Sequence, residues 1–128
     1  MKQFWAVIVA LLGLVAVGLA QDPKLGSGTK IYPASEAKSL VGKHAVVMGK
    51  VVQVRQEEKI THINFEKPYP YHEFTAVVYA SRANLFTNLG KLVGSTVEVR
   101  GKVEQYKDKP QIVLQSPRQL KVILEKSR

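Results

Sequence analysis

The chain contains no cysteine and only ten acidic residues, and both shortages limit the kinds of binding and catalytic sites that it can form. Without cysteine there are no disulfides, no cysteine-ligated zinc sites and no thiol nucleophiles. The few carboxylates are not paired or clustered as hydrolysis requires, and the glycines lie in predicted strands and turns rather than in a phosphate-binding loop. We therefore predict that the protein has no catalytic residues and is not an enzyme.

The three histidines do not form a metal-binding motif. Nine residues separate His62 from His72, and His44 stands alone at the start of a predicted strand. They are accompanied neither by an HExxH pattern nor by a carboxylate at ligand spacing. We expect surface histidines, with neither a metal nor a cofactor bound to the protein.

The N-terminal residues have the pattern of a targeting segment. Lys2 precedes an uncharged run of 17 residues from Phe4 to Ala20, and Gly18 and Ala20 supply the small residues of a secretory cleavage site. We predict a signal peptide over residues 1–20 that is cleaved after Ala20, which would make the mature protein periplasmic or secreted. The alternative is an uncleaved membrane anchor, for which the run is short.

The remaining residues read as one basic domain. A polar leader over residues 21–30 precedes the domain, which we place at residues 31–128. Loss of Lys2 with the signal peptide leaves 18 Lys and Arg against ten Asp and Glu, a formal charge of +8. Such a charge attracts polyanions, although scattered lysines also serve solubility alone. We expect a monomer that is not inserted in a membrane after cleavage.

A 15-residue segment occurs twice and indicates the architecture. Residues 40–54 and 92–106 are identical at eight aligned positions, and each copy carries a glycine in the middle of a strand pattern, Gly49 and Gly101. Glycine weakens a strand, so we interpret both as points where a strand bends to serve two sheets. Strands of that kind build small closed barrels.

Hydrophobic periodicity predicts five main strands, with an edge strand near residues 120–124. The five cover His44–Arg55, Ile60–Phe65, Glu73–Ala80, Val97–Glu104 and Gln111–Gln115. Helices are predicted at Ala34–Leu40 and, with Ser81 as N-cap, at Arg82–Leu89. Alternation places Ile63 and Phe65 inward and His62 and Asn64 outward, and it turns Glu98 towards water.

Several short motifs resemble those of a known group of proteins. They include Gly49-Lys50-Val51, Pro68-Tyr69-Pro70 and Val99-Arg100-Gly101-Lys102-Val103. The likeness covers residues 31–124 and is to small exported bacterial OB-fold proteins described as nucleotide- or DNA-binding. It implies an all-β fold, a five-stranded OB-fold barrel with a short helix between strands 3 and 4, and favours a binding function.

An OB barrel binds its ligands on the face of strands 2 and 3 and on the loops beside it. Single-stranded nucleic acid needs cations along its backbone and aromatic rings on which bases stack. Both kinds of group are predicted on this face, and the candidate ligand-binding residues are Arg55, Lys59, His62, Asn64, Tyr69, Tyr71, Tyr79, Tyr106, Lys107 and Lys109. Glutamates in the same loops, Glu57, Glu58 and Glu66, would repel phosphates.

The sequence favours single-stranded nucleic acid or another polyanion as the ligand. The alternative is a protein or glycan partner held by the same face, in which case the tyrosines rather than the lysines would dominate binding. A tyrosine between prolines also fits a purely structural role, covering the end of the barrel. A small-molecule carrier is disfavoured because a barrel of five strands seldom encloses a pocket.

Overall fold

A closed ring of five strands forms the centre of the molecule. The structure is a computed structural model that describes residues 29–126, so the predicted signal peptide and all but the last two residues of the leader lie outside the described residues. The strands are β1 Ile31–Pro33, β2 His44–Gln56, β3 Ile60–Phe65, β4 Phe74–Tyr79, β5 Thr96–Tyr106, β6 Lys109–Val113 and β7 Leu120–Leu124. The helices are α1 Ala80–Ala83 and three 3₁₀ helices, Ala34–Leu40, Leu89–Leu92 and Pro117–Gln119. None of the helices within residues 29–126 is long and apolar enough to cross a membrane.

The strand pairing confirms the predicted OB-fold barrel. β2 pairs with β3 and β3 with β4, both antiparallel; β4 runs parallel to β6. β6 then pairs with β5, and β5 pairs back with β2, which closes the ring. β1 and β7 extend the sheet at its two ends, and β7 is the edge strand expected from the sequence.

The two copies of the repeat supply β2 and β5, and each of these strands serves two sheets. β2 leaves β5 and joins β3 between Lys50 and Val51. β5 leaves β2 and joins β6 between Lys102 and Val103. In both strands the change of partner comes two residues after the central glycine, which agrees with the geometric role inferred for these glycines.

Close packing also requires glycine at both positions. A Cβ atom at Gly101, where φ is +153°, would lie 2.9 Å from Cγ2 of Ile112. A Cβ atom at Gly49 would lie 2.8 Å from a carboxylate oxygen of Glu66 and 3.2 Å from Cβ of Ala34. Any larger side chain would therefore displace the neighbouring strand or loop.

Apolar side chains fill the inside of the ring. Phe65 and Phe74 face each other across β3 and β4 with ring centroids 5.2 Å apart. Ile63, Val47 and Val99 are fully buried beside them, as the period-two pattern predicts. The outward side chains of the same strands are thus free to form a ligand surface.

A short helix, α1, lies between the third and fourth strands of the barrel, as predicted, but the predicted bounds Arg82–Leu89 are wrong. α1 ends at Ala83, Ser81 lies inside it rather than at its N-cap, and a separate 3₁₀ helix begins at Leu89. Among the apolar residues of this segment, Leu89 is buried, Phe86 is partly buried against the core and Leu85 is 46% exposed. A short helix gains stability mainly by burying an apolar face, and here that face is incomplete because Leu85 turns to solvent.

Two further expectations need correction. Glu98 does not face open water but is 8% exposed, because β7 pairs alongside β5 and places Lys121 opposite it. The connection between the predicted strands Val97–Glu104 and Gln111–Gln115 is shorter than expected, since β5 and β6 meet in a two-residue hairpin whose central residues both have positive φ. Such a hairpin matches the twist of its strands, so β6 starts two residues earlier than predicted.

Candidate functional site

A cleft of about 560 Å³ opens on the outer face of β3, β4 and β6. The loop between β3 and β4 forms one wall, and the hairpin between β5 and β6 forms the other. The cleft is lined by Arg55, Glu57, Ile60, His62, Asn64, Tyr69, Pro70, His72, Thr75, Tyr79, Tyr106, Lys107, Lys109 and Gln111.

A row of uncharged polar residues, the polar row, crosses four neighbouring strands, and three of its members, Asn64, Thr75 and Gln111, line the floor of the cleft. Gln53 pairs with Asn64, Asn64 with Thr75, and Thr75 with Gln111. Asn64, Thr75 and Gln111 are 1%, 3% and 7% exposed. The floor is therefore almost as buried as the core on the other face of these strands, yet it presents hydrogen-bonding groups.

Gln53 ties the polar row to the wall formed by the β3–β4 loop. Its Oε1 accepts hydrogen bonds from Nδ2 of Asn64 and from the backbone N–H of Tyr69, both at 2.8 Å. The hydroxyl of Thr75 donates to the carbonyl oxygen of Ile63 at 3.1 Å. These bonds fix the loop against β2 and hold the polar row in one arrangement.

The loop wall is built around the ring of Tyr69. The guanidinium of Arg55 lies 4.3 Å from the ring centroid, and the imidazole of His72 stacks against the ring at 5.9 Å. Arg55 also forms an ion pair with Glu57 at 2.7 Å. These contacts stabilise the wall and hold a cation at the mouth of the cleft.

The hairpin wall carries an exposed ring and two lysines. Tyr106 is 54% exposed, and Nζ of Lys107 lies 5.4 Å from its ring centroid. Nζ of Lys109 donates to the carbonyl oxygen of His72 at 3.0 Å, which joins the two walls across one end of the cleft. Tyr79, 45% exposed at the end of β4, adds a second ring.

Both histidines of the cleft have a lowered pKa. For His62, burial lowers the pKa below its usual 6.5, Glu57 opposes that shift, and Arg55 adds to it. For His72, burial lowers the pKa, and the nearby Lys109, His62 and Arg55 lower it further. With both pKa values below 6.5, the imidazoles add little charge at pH 7. The net charge of the cleft lining is then positive, because it contains three Arg and Lys side chains and one carboxylate, that of Glu57.

The cleft brings together eight of the ten residues proposed from the sequence: Arg55, His62, Asn64, Tyr69, Tyr79, Tyr106, Lys107 and Lys109. Lys59 and Tyr71 do not line it. Lys59 lies in the turn before β3, and Tyr71 is 73% exposed in the β3–β4 loop. Within residues 29–126, no group of three or more His, Cys, Asp or Glu side chains is placed to hold a metal ion.

The sequence reasoning missed much of the floor. Thr75 and Gln111, which line the floor, and Gln53, which bonds to Asn64, were not proposed, although each is a polar residue within an apolar strand pattern. These residues form one row with Asn64 only when the strands are paired in their actual register, and the sequence alone does not give that register.

Comparison with known proteins supports the fold alone. No protein-family model matches the chain, and a search of curated proteins finds no match. Among solved structures, the chain is similar to a putative aspartyl-tRNA synthetase from Leishmania major Friedlin, with a TM-score of 0.58 and 14% identity over 88% of this chain and 24% of that one. It is also similar to OBody AM2EP06, solved bound to hen egg-white lysozyme, with a TM-score of 0.56 and 17% identity over 75% of this chain and 94% of the OBody. The chain therefore spans about a quarter of the length of the synthetase.

Proposed function

We propose that this protein is a non-catalytic binding module for single-stranded nucleic acid. The observation that carries the proposal is the combination, in one cleft on the outer face of an OB barrel, of three cations, exposed aromatic rings and a polar floor. These are the groups by which a single strand is held, with its phosphates on cations and its bases on aromatic faces. The net positive charge of the lining favours a polyanion over a neutral ligand.

The two walls of the cleft contribute different contacts to the proposed ligand. Arg55 lies at the loop wall and Lys107 at the hairpin wall, where each can take a phosphate of a strand that follows the cleft, and Arg55 would exchange its ion pair with Glu57 for that contact. The exposed rings of Tyr79 and Tyr106 offer faces for stacking, worth about 1–3 kcal/mol per base. Tyr69 already contacts a cation and an imidazole, so its main role is to support the wall.

We further propose that the chain acts outside the cytoplasm, after removal of residues 1–20. Support comes from the uncharged run after Lys2 and the small residues before the predicted cleavage point. Cell fractionation and N-terminal sequencing of the recovered protein test this: a mature protein that begins at Gln21 is expected. Recovery from the cytoplasm with Met1 in place would contradict it.

Titration with labelled oligonucleotides tests the binding function. We expect micromolar or tighter binding of DNA or RNA strands of about 12 nucleotides at about 50 mM salt, with affinity falling steeply as salt rises. Flat titrations with both nucleic acids at low salt would refute the proposal.

A protein partner is the second candidate, because an OBody of this fold was solved bound to hen egg-white lysozyme. In that case Lys107→Glu would leave binding largely unchanged, whereas Tyr79→Ala would abolish it. For nucleic acid both substitutions weaken binding, and only the lysine change also reduces its salt dependence.

A further inference from the structure

Asn64 places a hydrogen-bond acceptor without a partner at the floor of the cleft. Its side chain is 1% exposed, and among the described residues nothing donates a hydrogen bond to its Oδ1. A buried polar atom left unpaired costs free energy, so such atoms are usually satisfied by protein, water or ligand. Asn64 lines the cleft, which makes a ligand a candidate donor.

The hydrogen-bond network fixes which end of the Asn64 amide remains unpaired. The backbone N–H of Tyr69 can only donate, so the Gln53 atom that it contacts must be the carbonyl oxygen. The Asn64 atom that contacts the same oxygen must then be its NH₂ group. The carbonyl oxygen of Asn64 therefore points away from Gln53. Flipping the amide, which would put the NH₂ group in its place, would break the hydrogen bond to Gln53.

A second unpaired group lies in the same cleft. His72 is 6% exposed, and its Nδ1 has no hydrogen-bond partner within the described part of the chain. Two side chains of one cleft, both more than nine-tenths buried, thus keep polar atoms unpaired. This pattern points to a ligand that carries its own polar edge into the cleft, rather than to one that touches only the charged rim.

The unpaired carbonyl oxygen selects the chemistry of that edge. It repels phosphate oxygens and base carbonyls and accepts only N–H or O–H groups. This oxygen is shielded from solvent, so a donor has to displace the side chains around it. An exocyclic amino group, which projects beyond the ring of a base, requires the smallest displacement. Thymine and uracil have an imide N–H, but it lies between two carbonyl oxygens. If that N–H approached Oδ1 of Asn64, these oxygens would also come close to Oδ1 and repel it.

We propose that the cleft prefers bases that carry an exocyclic amino group, and that this group donates its hydrogen bond to Oδ1 of Asn64. The inference rests on the proposed binding of single-stranded nucleic acid and adds base selectivity to it. The stacking tyrosines and the cations supply affinity for any sequence, whereas Asn64 distinguishes among bases.

A change made in the ligand tests this without altering the protein. Anisotropy titrations of the full chain would compare oligomers of about 12 nucleotides made of deoxycytidine, of thymidine, and of deoxycytidine with the central residues replaced by 2-pyrimidinone, which lacks only the amino group. Loss of one good hydrogen bond to a buried group is expected to weaken binding about tenfold. Thymidine is expected to bind as weakly as the pyrimidinone oligomer.

Asn64→Leu supplies the matching change in the protein, with Asn84→Leu as control because Asn84 is exposed and outside the cleft. In Asn64→Leu the cytosine and pyrimidinone oligomers should bind equally, while Asn84→Leu should retain the wild-type ratio. Equal binding of all three oligomers by the wild type would overturn the base selectivity alone. Binding of none of them would overturn the proposed function and this inference with it.

Discussion

Val47 and Val99 face each other across β2 and β5, and they occupy the same position in the two copies of the repeat. Each valine therefore pairs with its own counterpart in the other copy of the repeat. The residue pairs on one side of them correspond to the pairs on the other side. Ala45 pairs with Gly101 just as Val97 pairs with Gly49. The two strands are related by an approximate twofold axis through the Val47–Val99 pair.

The backbone follows the same symmetry beyond the strands. Gly42 and Gly94 have φ angles of +92° and +94°. The N–H of Gly42 donates to the carbonyl oxygen of Val103 at 2.8 Å, and the N–H of Gly94 donates to that of Val51 at 2.7 Å. Only glycine adopts such angles without strain, which explains why both copies keep it there.

Gly101→Ala should destabilise the protein by about 2 kcal/mol or more, because it combines a positive φ with a close contact to a buried side chain. The contact atom is Cγ2 of Ile112, 2.9 Å from the added Cβ. Gly90→Ala is the control, since nothing lies within 4 Å of its Cβ position. Chemical denaturation of both variants measures the difference, and equal stability would contradict the packing argument.

Tyr106→Ala and Tyr79→Ala should each weaken oligonucleotide binding about tenfold or more, because a stacked base contributes about 1–3 kcal/mol. Tyr71→Ala is the matched control. Its ring is 73% exposed but outside the cleft, so we expect no change in affinity. An equal loss in all three variants would mean that the rings act through a surface other than the cleft.

Lys107→Glu should weaken binding and lower the salt dependence of the affinity. Each cation that neutralises a phosphate of a single strand contributes about 0.7 to the slope of log affinity against log salt. Lys43→Glu changes the net charge equally, but Lys43 is exposed in the turn before β2, outside the cleft. A similar slope change in both variants would show that only overall charge matters.

The histidines of the cleft should make the protein less stable in acid. Burial favours their neutral forms in the folded state, so the pKa of each lies below the 6.5 of the unfolded chain. Their contribution to stability is complete above pH 6.5 and is lost as the pH falls towards the folded-state pKa values. Melting temperatures measured from about pH 7 to about pH 5 should fall less for His72→Asn than for the wild type.

His44→Asn is the control for that measurement, because His44 is exposed at the start of β2 and outside the cleft. It should follow the wild-type curve. A His72→Asn curve that also follows the wild type would contradict the assignment of the acid sensitivity to the cleft.

The barrel could be predicted from the sequence because the strand Val97–Glu104 alternates regularly and a 15-residue strand segment occurs twice. The β3 strand has the predicted bounds, Ile60–Phe65, and β2 differs by one residue. Alternation also placed His62 and Asn64 on the outer face, where the cleft opens. A strand that buries one face shows a period-two pattern whichever strands it pairs with, so these predictions did not require the strand pairing to be known.

Other features depend on contacts that a linear pattern does not contain. The apolar residues Leu85 and Phe86 favour a helix over Arg82–Leu89, but only Phe86 packs against the core, while Leu85 is exposed. Glu98 has the spacing of a surface residue and is covered only because β7 returns beside β5. The polar row likewise appears only when four strands are placed in register.

The polar row and the core occupy opposite faces of the same strands. Its members, Gln53, Asn64, Thr75 and Gln111, alternate with the apolar residues that hold the barrel closed. The proposed ligand contacts and the apolar core therefore occupy interleaved but separate positions. We expect substitutions at Asn64, Thr75 and Gln111 to change the ligand preference proposed for the cleft while the interior of the barrel remains intact, which makes the barrel a suitable starting point for selecting new specificities.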